Sequence, residues 1–214
     1  MPTTTDHTDG GGGIPGLTGP RPEPAPDGQP PDPAALARIL RTATTVPDHG
    51  GLRPWRFVVV SGNGRERLAD ALEAGLFATR GDHLPDAAVA KMRRKAFAAP
   101  CAVVLIASPD PTSNVPVWEQ EASASCTGYA VVLAATALGL GAVWKSAAVL
   151  DTPPVRTLFG LTPHERLLGW VNLGTAEDDR RRTRRDTPPA DLSTLVTVID
   201  RDGNGHASAP PGPL

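Results

Sequence analysis

Residues 102–107, Ala-Val-Val-Leu-Ile-Ala, form an apolar run with no polar position on either face. A run of this length predicts a strand that is buried on both sides, which places it in the interior of a sheet. A second segment, from Trp118 or Glu119 to Leu138, carries Ala, Val and Leu around most of its circumference. This pattern predicts a long, buried helix. Its small residues indicate close approach to another helix, either within the fold or across a dimer interface.

Turn and capping signals divide the rest of the chain into short elements. Asp32-Pro33 predicts a helix start, because Asp is a good N-cap and Pro fits the first turn, and the helical spacing continues to Thr44. The other predicted elements are a strand at 57–61, helices at 65–77 and 85–96, a strand at 142–144, a helix at 153–159, a strand at 167–174 and a last apolar run at 192–199. We expect one folded domain at 33–200, between a disordered Gly/Pro-rich tail at 1–32 and a flexible tail at 201–214.

Charge and composition argue against several kinds of partner. The formal net charge of −2 implies no bulk attraction to nucleic acid or to an anionic membrane surface. No apolar run approaches the roughly 18 residues of a membrane span, and the N-terminus lacks the charged-then-apolar layout of a signal peptide. The two cysteines, Cys101 and Cys126, do not form a CxxC pair. These features predict a cytoplasmic protein with no nucleic-acid or membrane partner.

Several catalytic classes find no support in the motifs. Gly62-Asn63-Gly64 follows a predicted strand, but Arg67 stands where a dinucleotide-binding turn requires its third Gly. No GxSxG nucleophile elbow occurs, and the five histidines are not at metal-ligand spacing. Glu119 and Glu121 are two residues apart, which puts them on different faces of a helix. Hydrolase and metal chemistry are disfavoured, and no catalytic side chain or metal ligand is assigned.

Three features remain as candidates for ligand binding. His49 lies in a Pro- and Gly-broken loop at 46–54 that leads directly into a strand, and a rigid loop positions side chains well. Lys145 ends a predicted strand, where a cation can stabilise negative charge on a bound ring. The run 180–185 holds five Arg residues. It is a solvated loop, a phosphate clamp or, against the overall acidity of the chain, a nucleic-acid contact.

Six motifs occur in order and together resemble one family. They are Val46-Pro47-Asp48-His49, Arg53-Pro54-Trp55-Arg56-Phe57, Gly62-x-Gly64-Arg65-Glu66-Arg67, Val115-Pro116-x-Trp118-Glu119-Gln120-Glu121, Trp144-Lys145-Ser146 and Leu173-Gly174-Thr175. Over residues 33–178 the chain resembles the bacterial nitroreductase family, and within it the small NAD(P)H nitroreductase branch. Six motifs in register are specific for the family, although they do not select a substrate.

The resemblance implies an α+β fold in which helices flank a mostly antiparallel sheet. It also implies a homodimer with FMN at the subunit interface and a C-terminal strand, here 192–199, that is exchanged between the subunits. The implied function is a flavin-dependent oxidoreductase. It would pass electrons from NAD(P)H through FMN to a small organic acceptor such as a nitroaromatic, a quinone or an enone.

The resemblance also implies, by position, which residues contact the flavin. His49 matches a flavin-contacting residue, and Thr45 matches a nearby position that is basic in relatives. Trp144, Lys145 and Ser146 match the loop that borders the isoalloxazine ring, with Lys145 in place of the common Arg. On this basis Lys145 favours negative charge on the ring, and His49 orients the ring or the ribityl chain.

The phosphate end of the implied site departs from the family. The family's first helix ends in an Arg-Arg-Ser-type motif that grips the FMN phosphate, whereas this region reads Gly19-Pro20-Arg21-Pro22-Glu23-Pro24. Arg21 alone stands in for the motif, and the prolines forbid a helix. Losing two charged hydrogen bonds, each worth roughly 1.5–3 kcal/mol, would weaken FMN binding by on the order of 10² to 10⁴-fold. The alternative hypothesis is therefore a catalytically degenerate member that serves as a ligand-binding or assembly subunit.

Overall fold

The computed structural model describes Leu17 and residues 21–177, 194–199 and 205–206. One compact unit, Arg21–Arg181, contains nearly all of the described elements. Its helices and strands, in chain order, are α1 (Pro33–Ala43), β1 (Trp55–Ser61), α2 (Gly64–Arg80), α3 (Asp86–Arg94), β2 (Cys101–Ala107), α4 (Val117–Ala137), β3 (Leu140–Lys145), α5 (Pro153–Phe159) and β4 (Arg166–Thr175). Every element predicted within this unit is present. The helix predicted at 85–96 is α3 followed by a 3₁₀ turn, Lys95–Phe97.

Local signals explain where the helices begin and end. The Asp32 carboxylate accepts a hydrogen bond from the backbone N–H of Ala35 at 2.8 Å, which makes it the N-cap of α1 as predicted. Gly160 follows α5 with φ 58°, a left-handed conformation that Gly adopts without steric cost, and ends that helix. Capping chemistry therefore sets these two boundaries independently of the rest of the fold.

The sheet has the strand order β1-β2-β4-β3, and all three pairings are antiparallel. β2 lies between β1 and β4 and is buried at all seven positions, as its apolar run predicts. Because side chains alternate along a strand, Val104 and Ile106 face one core while Val103 and Leu105 face another. The first core is completed by α2, α3 and α5, and the second by α1 and α4. The expected α+β fold with helices flanking an antiparallel sheet is confirmed.

Helix α4 is less buried than its composition predicts. Its inner face, which includes Val131, Val132 and Ala135, is buried in the second core. Trp118 and Tyr129, however, are 68% and 49% exposed. The prediction of a long, buried helix is therefore correct for the inner face of α4 and wrong for its outer face in the single chain. Its apolar residues serve two surfaces, an inner one on the sheet and an outer one exposed to solvent.

The N-terminal segment 21–29, which we call the strap, lies along the edge of the sheet formed by β3. The Ala142 N–H donates to the Pro22 carbonyl at 2.9 Å, and the Ala25 N–H donates to the Thr175 carbonyl at 2.9 Å. A further bond joins the Thr175 N–H to the Gln29 carbonyl. Backbone pairing thus begins before residue 33, the predicted start of the domain. Of the tail predicted as disordered at 1–32, only Leu17 and residues from 21 onward are described.

The C-terminal region is described only in part. Val198–Ile199 (β5) pairs with Gly205–His206 (β6) in an antiparallel two-stranded sheet. The strand exchange predicted for 192–199 stays a prediction, and the Arg run at 180–185 lies outside the described residues. Among the residues that are described, no helix combines the length and the apolar character needed to cross a bilayer.

Candidate functional site

The loop that carries His49 is held firmly in place. Gly50 and Gly51 have φ values of 77° and 64°, which glycine adopts readily, and Arg53 is a non-glycine residue with φ 50°. The Asp48 carboxylate accepts from the Arg53 N–H at 2.7 Å, which closes the loop. The Ser123 hydroxyl of α4 donates to the Pro47 carbonyl at 2.9 Å. The loop is therefore braced both internally and against α4.

His49 is fixed yet accessible. Its Nδ1 lies 2.9 Å from Oε2 of Glu119, and the two side chains are 69% and 30% exposed. A carboxylate oxygen only accepts hydrogen bonds, so this contact is a hydrogen bond in the tautomer that carries its proton on Nδ1. Since Nδ1 is engaged, Nε2 is the ring nitrogen left to meet a ligand. This arrangement suits a group that contacts a bound molecule.

The end of β3 forms the second part of the predicted site. The Trp144 ring packs against Gly128 of α4, where a Cβ would lie 2.7 Å from two ring carbons, so only glycine fits there. The next residue, Lys145, is 44% exposed, and its Nζ lies 3.6 Å from Oε1 of Glu23 in the strap. The Lys95 ammonium donates to the Ser146 carbonyl at 3.3 Å. The ammonium groups of Lys145 and Lys95 therefore both lie at this end of β3.

The remaining predicted residues, Arg21 and Thr45, have local partners. Arg21 donates from Nη2 to the Tyr129 hydroxyl at 2.9 Å, and its guanidinium carbon lies 5.2 Å from the centre of that ring. This combination of a hydrogen bond and a cation–π contact places Arg21 on the exposed face of α4. The Thr45 hydroxyl donates to the Thr42 carbonyl at 2.8 Å just beyond α1, so its contact in this structure is a helix-end contact.

These contacts arrange the predicted residues in two groups. His49 belongs to the first group, which meets α4 at Glu119, and Thr45 lies four residues before it in the chain. Trp144, Lys145 and Ser146 form the second, which meets α4 at Gly128. At 1.5 Å per residue, those two points are about 13 Å apart along the helix axis. Arg21 joins the second group through the strap, since Glu23 pairs with Lys145.

Sequence reasoning missed a partly buried ion pair between β1 and the residue that precedes β4. Arg56 on β1 donates from Nε and Nη2 to the two carboxylate oxygens of Glu165, at 2.6 and 2.9 Å. The Ser108 hydroxyl and the Thr162 N–H also donate to Glu165, at 2.9 and 3.0 Å. These bonds, Arg56 first among them, lower the pKa of Glu165 to about 2. No sequence signal links Arg56 with Glu165, because the two are 109 positions apart.

A cavity of about 520 Å³ opens next to the second group, with Ala147 and Ala148 in its wall. Its guanidinium groups already have carboxylate partners: Arg166 lies 3.6 Å from Glu121, and Arg156 lies 2.7 Å from Asp151. The cavity therefore offers room beside the strand end, with its charges compensated internally.

Comparisons with known proteins identify the family of this chain. The model of the nitroreductase family matches residues 27–175. "Putative NAD(P)H nitroreductase YdjA" of Escherichia coli (strain K12) is 39% identical over 155 residues, which cover 72% of this chain and 80% of that protein.

Solved structures share the fold. The crystal structure of a nitroreductase-like family protein from Bacillus cereus superposes with a TM-score of 0.66 at 22% identity, covering 86% of this chain and 91% of that one. The FMN-dependent nitroreductase NfnB from Mycobacterium smegmatis, in complex with NADPH, gives a TM-score of 0.61 at 21% identity, covering 82% and 91%. With the family match over most of the unit that contains the site, this chain belongs to the nitroreductase family.

Proposed function

We propose that this protein is an FMN-dependent oxidoreductase that passes electrons from NAD(P)H to a small organic acceptor. The observation that carries the proposal is the half-exposed Lys145 at the end of β3, in the loop that borders the flavin ring by resemblance. Family membership supports it. So does the name of the Escherichia coli relative, which specifies NAD(P)H as the reductant.

The residues present fit the chemical parts of FMN. Lys145 has three N–H donors, and at 3.6 Å its contact with Glu23 is longer than an ordinary hydrogen bond, so a bound acceptor can compete for the ammonium. Arg21 has a planar guanidinium whose fork of N–H donors suits phosphate oxygens, and in this structure it donates from Nη2 to Tyr129. His49 offers a ring nitrogen to a hydroxyl or N–H donor of the ligand.

Each side chain then has a distinct task. Bound FMN would supply the two-electron redox chemistry, as flavins do in other oxidoreductases. Lys145 favours negative charge on the neighbouring ring through its own positive charge. His49 orients the ligand, and Trp144 shapes the ring side of the pocket from its fixed position on Gly128. Arg21 binds the phosphate, and Thr45 lies at the edge of the site.

The proposal includes a homodimer with the pocket shared by two copies. Within one chain the His49 and Lys145 groups meet α4 at points about 13 Å apart. The outer face of α4 exposes Val117, Trp118 and Tyr129. Large apolar residues exposed along one helix mark an interaction surface, and a second copy of the chain would bury them. The electron acceptor is a nitroaromatic, a quinone or an enone, and the proposal covers all three classes.

A flavin titration tests the proposal directly. The dialysed protein should quench FMN fluorescence with saturation and acquire the visible spectrum of a bound flavin. At saturating FMN it should oxidise NADH or NADPH when a nitroaromatic, a quinone or an enone is added. Lys145→Ala should weaken FMN binding by about tenfold, the loss of one charged hydrogen bond. A protein that binds no FMN even when FMN is millimolar would contradict the proposal.

A second candidate function is favoured by one specific observation. Both predicted cations have partners within the chain, since Lys145 pairs with Glu23 and Arg21 binds Tyr129. A member whose two predicted cations already have partners within the chain could serve as a ligand-binding or assembly subunit without turnover. It would form a stable dimer that oxidises no NAD(P)H at saturating FMN. Measurable turnover would eliminate this candidate.

A further inference from the structure

We propose that Glu119 is a positioning residue that holds His49 in one tautomer for ligand binding. The proposal rests on the proposed flavin site. Its structural basis is the 2.9 Å contact between Glu119 Oε2 and His49 Nδ1. Because the carboxylate can only accept, the shared proton resides on Nδ1. In the neutral ring Nε2 is then a hydrogen-bond acceptor, the reverse of the tautomer that free histidine prefers in water.

The chemical consequence concerns which ligand atoms His49 can meet. An Nε2 acceptor pairs with O–H or N–H donors and repels carbonyl oxygens. Flavin mononucleotide offers donors of both kinds, the ribityl hydroxyls and the ring N–H. Glu119 thus decides whether Nε2 donates or accepts, without touching the ligand itself. Residues that hydrogen-bond the second ring nitrogen of a metal-binding histidine act in the same way.

Glu119 is not needed to hold the loop. The Ser123 hydroxyl already binds the Pro47 carbonyl, and Asp48 already binds the Arg53 N–H. A contact with a 69% exposed imidazole adds little stability. Glu119 also lies in the first turn of α4. What the contact supplies is therefore the orientation and protonation pattern of one side chain.

The helix provides a matched control. Glu121 is two residues further along α4 and faces Arg166 at 3.6 Å instead of His49. Glu121→Gln removes the same charge from the same helix but leaves the His49 contact intact. Glu119→Met removes both carboxylate oxygens, keeps a long side chain and retains good helix propensity. Glu119→Gln keeps a carbonyl oxygen that can still accept from Nδ1–H.

The first measurement is the tautomer of His49 in the flavin-free, ¹⁵N-labelled full chain, from long-range ¹H–¹⁵N spectra above pH 8. The His49→Ala variant identifies the ring signals. The wild type, Glu119→Gln and Glu121→Gln should show the proton on Nδ1. Glu119→Met should shift it toward Nε2. A wild-type ring protonated on Nε2, or a Glu119→Met ring unchanged from wild type, overturns the proposal.

The second measurement is the FMN dissociation constant by fluorescence quenching, with thermal unfolding to confirm that each variant is folded. Glu119→Met should bind FMN about tenfold more weakly than wild type, and Glu119→Gln should recover most of that loss. In the His49→Ala background, Glu119→Met should have no further effect. An equal loss with and without His49 shows a merely structural role and overturns the proposal.

The proposed function and the positioning role of Glu119 are contradicted by different results. If the wild type binds no FMN, the proposed function fails and the proposal fails with it. If the wild type binds FMN and His49→Ala weakens binding while Glu119→Met does not, only the positioning role of Glu119 fails.

Discussion

Two contacts between a carboxylate and a basic side chain, made by neighbouring parts of the chain, differ in almost every physical respect. His49 pairs with Glu119 where both side chains are accessible, 69% and 30% exposed. Arg56, in the strand that follows, pairs with Glu165, and these side chains are 35% and 7% exposed. The first pair has one short contact, whereas the second has two and is supported by Ser108 and Thr162.

The difference shows what burial does to the same kind of contact. Water screens the exposed pair, so it contributes little stability, and its ring remains free to bind a ligand. The buried pair ties β1 to the loop before β4, and its loss leaves a charge without a partner in the interior. We infer that the exposed pair serves the site and the buried pair serves the fold.

The largest expected effect is the loss of the buried carboxylate. Glu165→Gln removes the charge that Arg56 faces, and breaking a buried pair costs about 3 kcal/mol. Because Arg56 is 35% exposed, solvent screening reduces this to roughly 2 kcal/mol of unfolding free energy. Urea denaturation at pH 7 measures it. A change below about 0.5 kcal/mol would erase the distinction between the two pairs.

Acid should remove the same contribution from the wild type. The pKa of Glu165 is lowered from its ordinary value of 4.5 to about 2, chiefly by its bonds with Arg56. A depressed carboxyl pKa stabilises the fold above pH 4.5, and that stability is lost as the pH falls toward 2. The difference in unfolding free energy between wild type and Glu165→Gln should therefore shrink by roughly half between pH 7 and pH 3. A constant difference would contradict this prediction.

A smaller effect should follow from changing the shape of the cation. Arg56 donates from two nitrogens to Glu165 and from Nη2 to the Phe159 carbonyl at 3.0 Å. Arg56→Lys keeps the positive charge but loses the two parallel N–H donors of the guanidinium. We therefore expect the unfolding free energy to fall by about 1 kcal/mol. Chemical denaturation beside Glu165→Gln tests the order of the two effects. A lysine variant as unstable as Glu165→Gln would show that geometry, not charge, dominates.

The smallest effect on stability is expected at the exposed pair. His49→Ala should change the unfolding free energy by less than about 0.5 kcal/mol, since the pair is accessible and the loop has other bonds. The same variant should weaken FMN binding, by about tenfold for one hydrogen bond. Denaturation and flavin titration of one preparation give both values. A destabilised variant with unchanged flavin affinity would reverse the assignment of this pair.

The local elements were predictable because their signals are local. Helix α5 has the predicted bounds, since Pro153 can start a helix and Gly160 ends it in a left-handed conformation. The interior position of β2 followed from an apolar run that no surface strand would tolerate. The antiparallel arrangement itself came from the resemblance, because strand periodicity does not choose a partner.

The sequence identified candidate residues of the site but not the contacts that they make with each other. His49 and Lys145 were identified by motif, and their assignment to the flavin stays a prediction. Glu119 lay inside a recognised motif, but nothing in the sequence pointed to His49 as its partner, 70 positions away. The exposed face of α4 was also hidden, since composition shows that a surface is apolar without showing what covers it.

The sequence by itself determined the helices, the strands, the central place of β2 and the family, because caps, turns, periodicity and motifs act over a few residues. Only the tertiary structure decided that the strap pairs with β3 and β4, that Glu119 holds His49 and that Glu165 is buried against Arg56. These contacts depend on sheet register and helix packing, which bring distant residues within about 3 Å of each other and which no local pattern encodes.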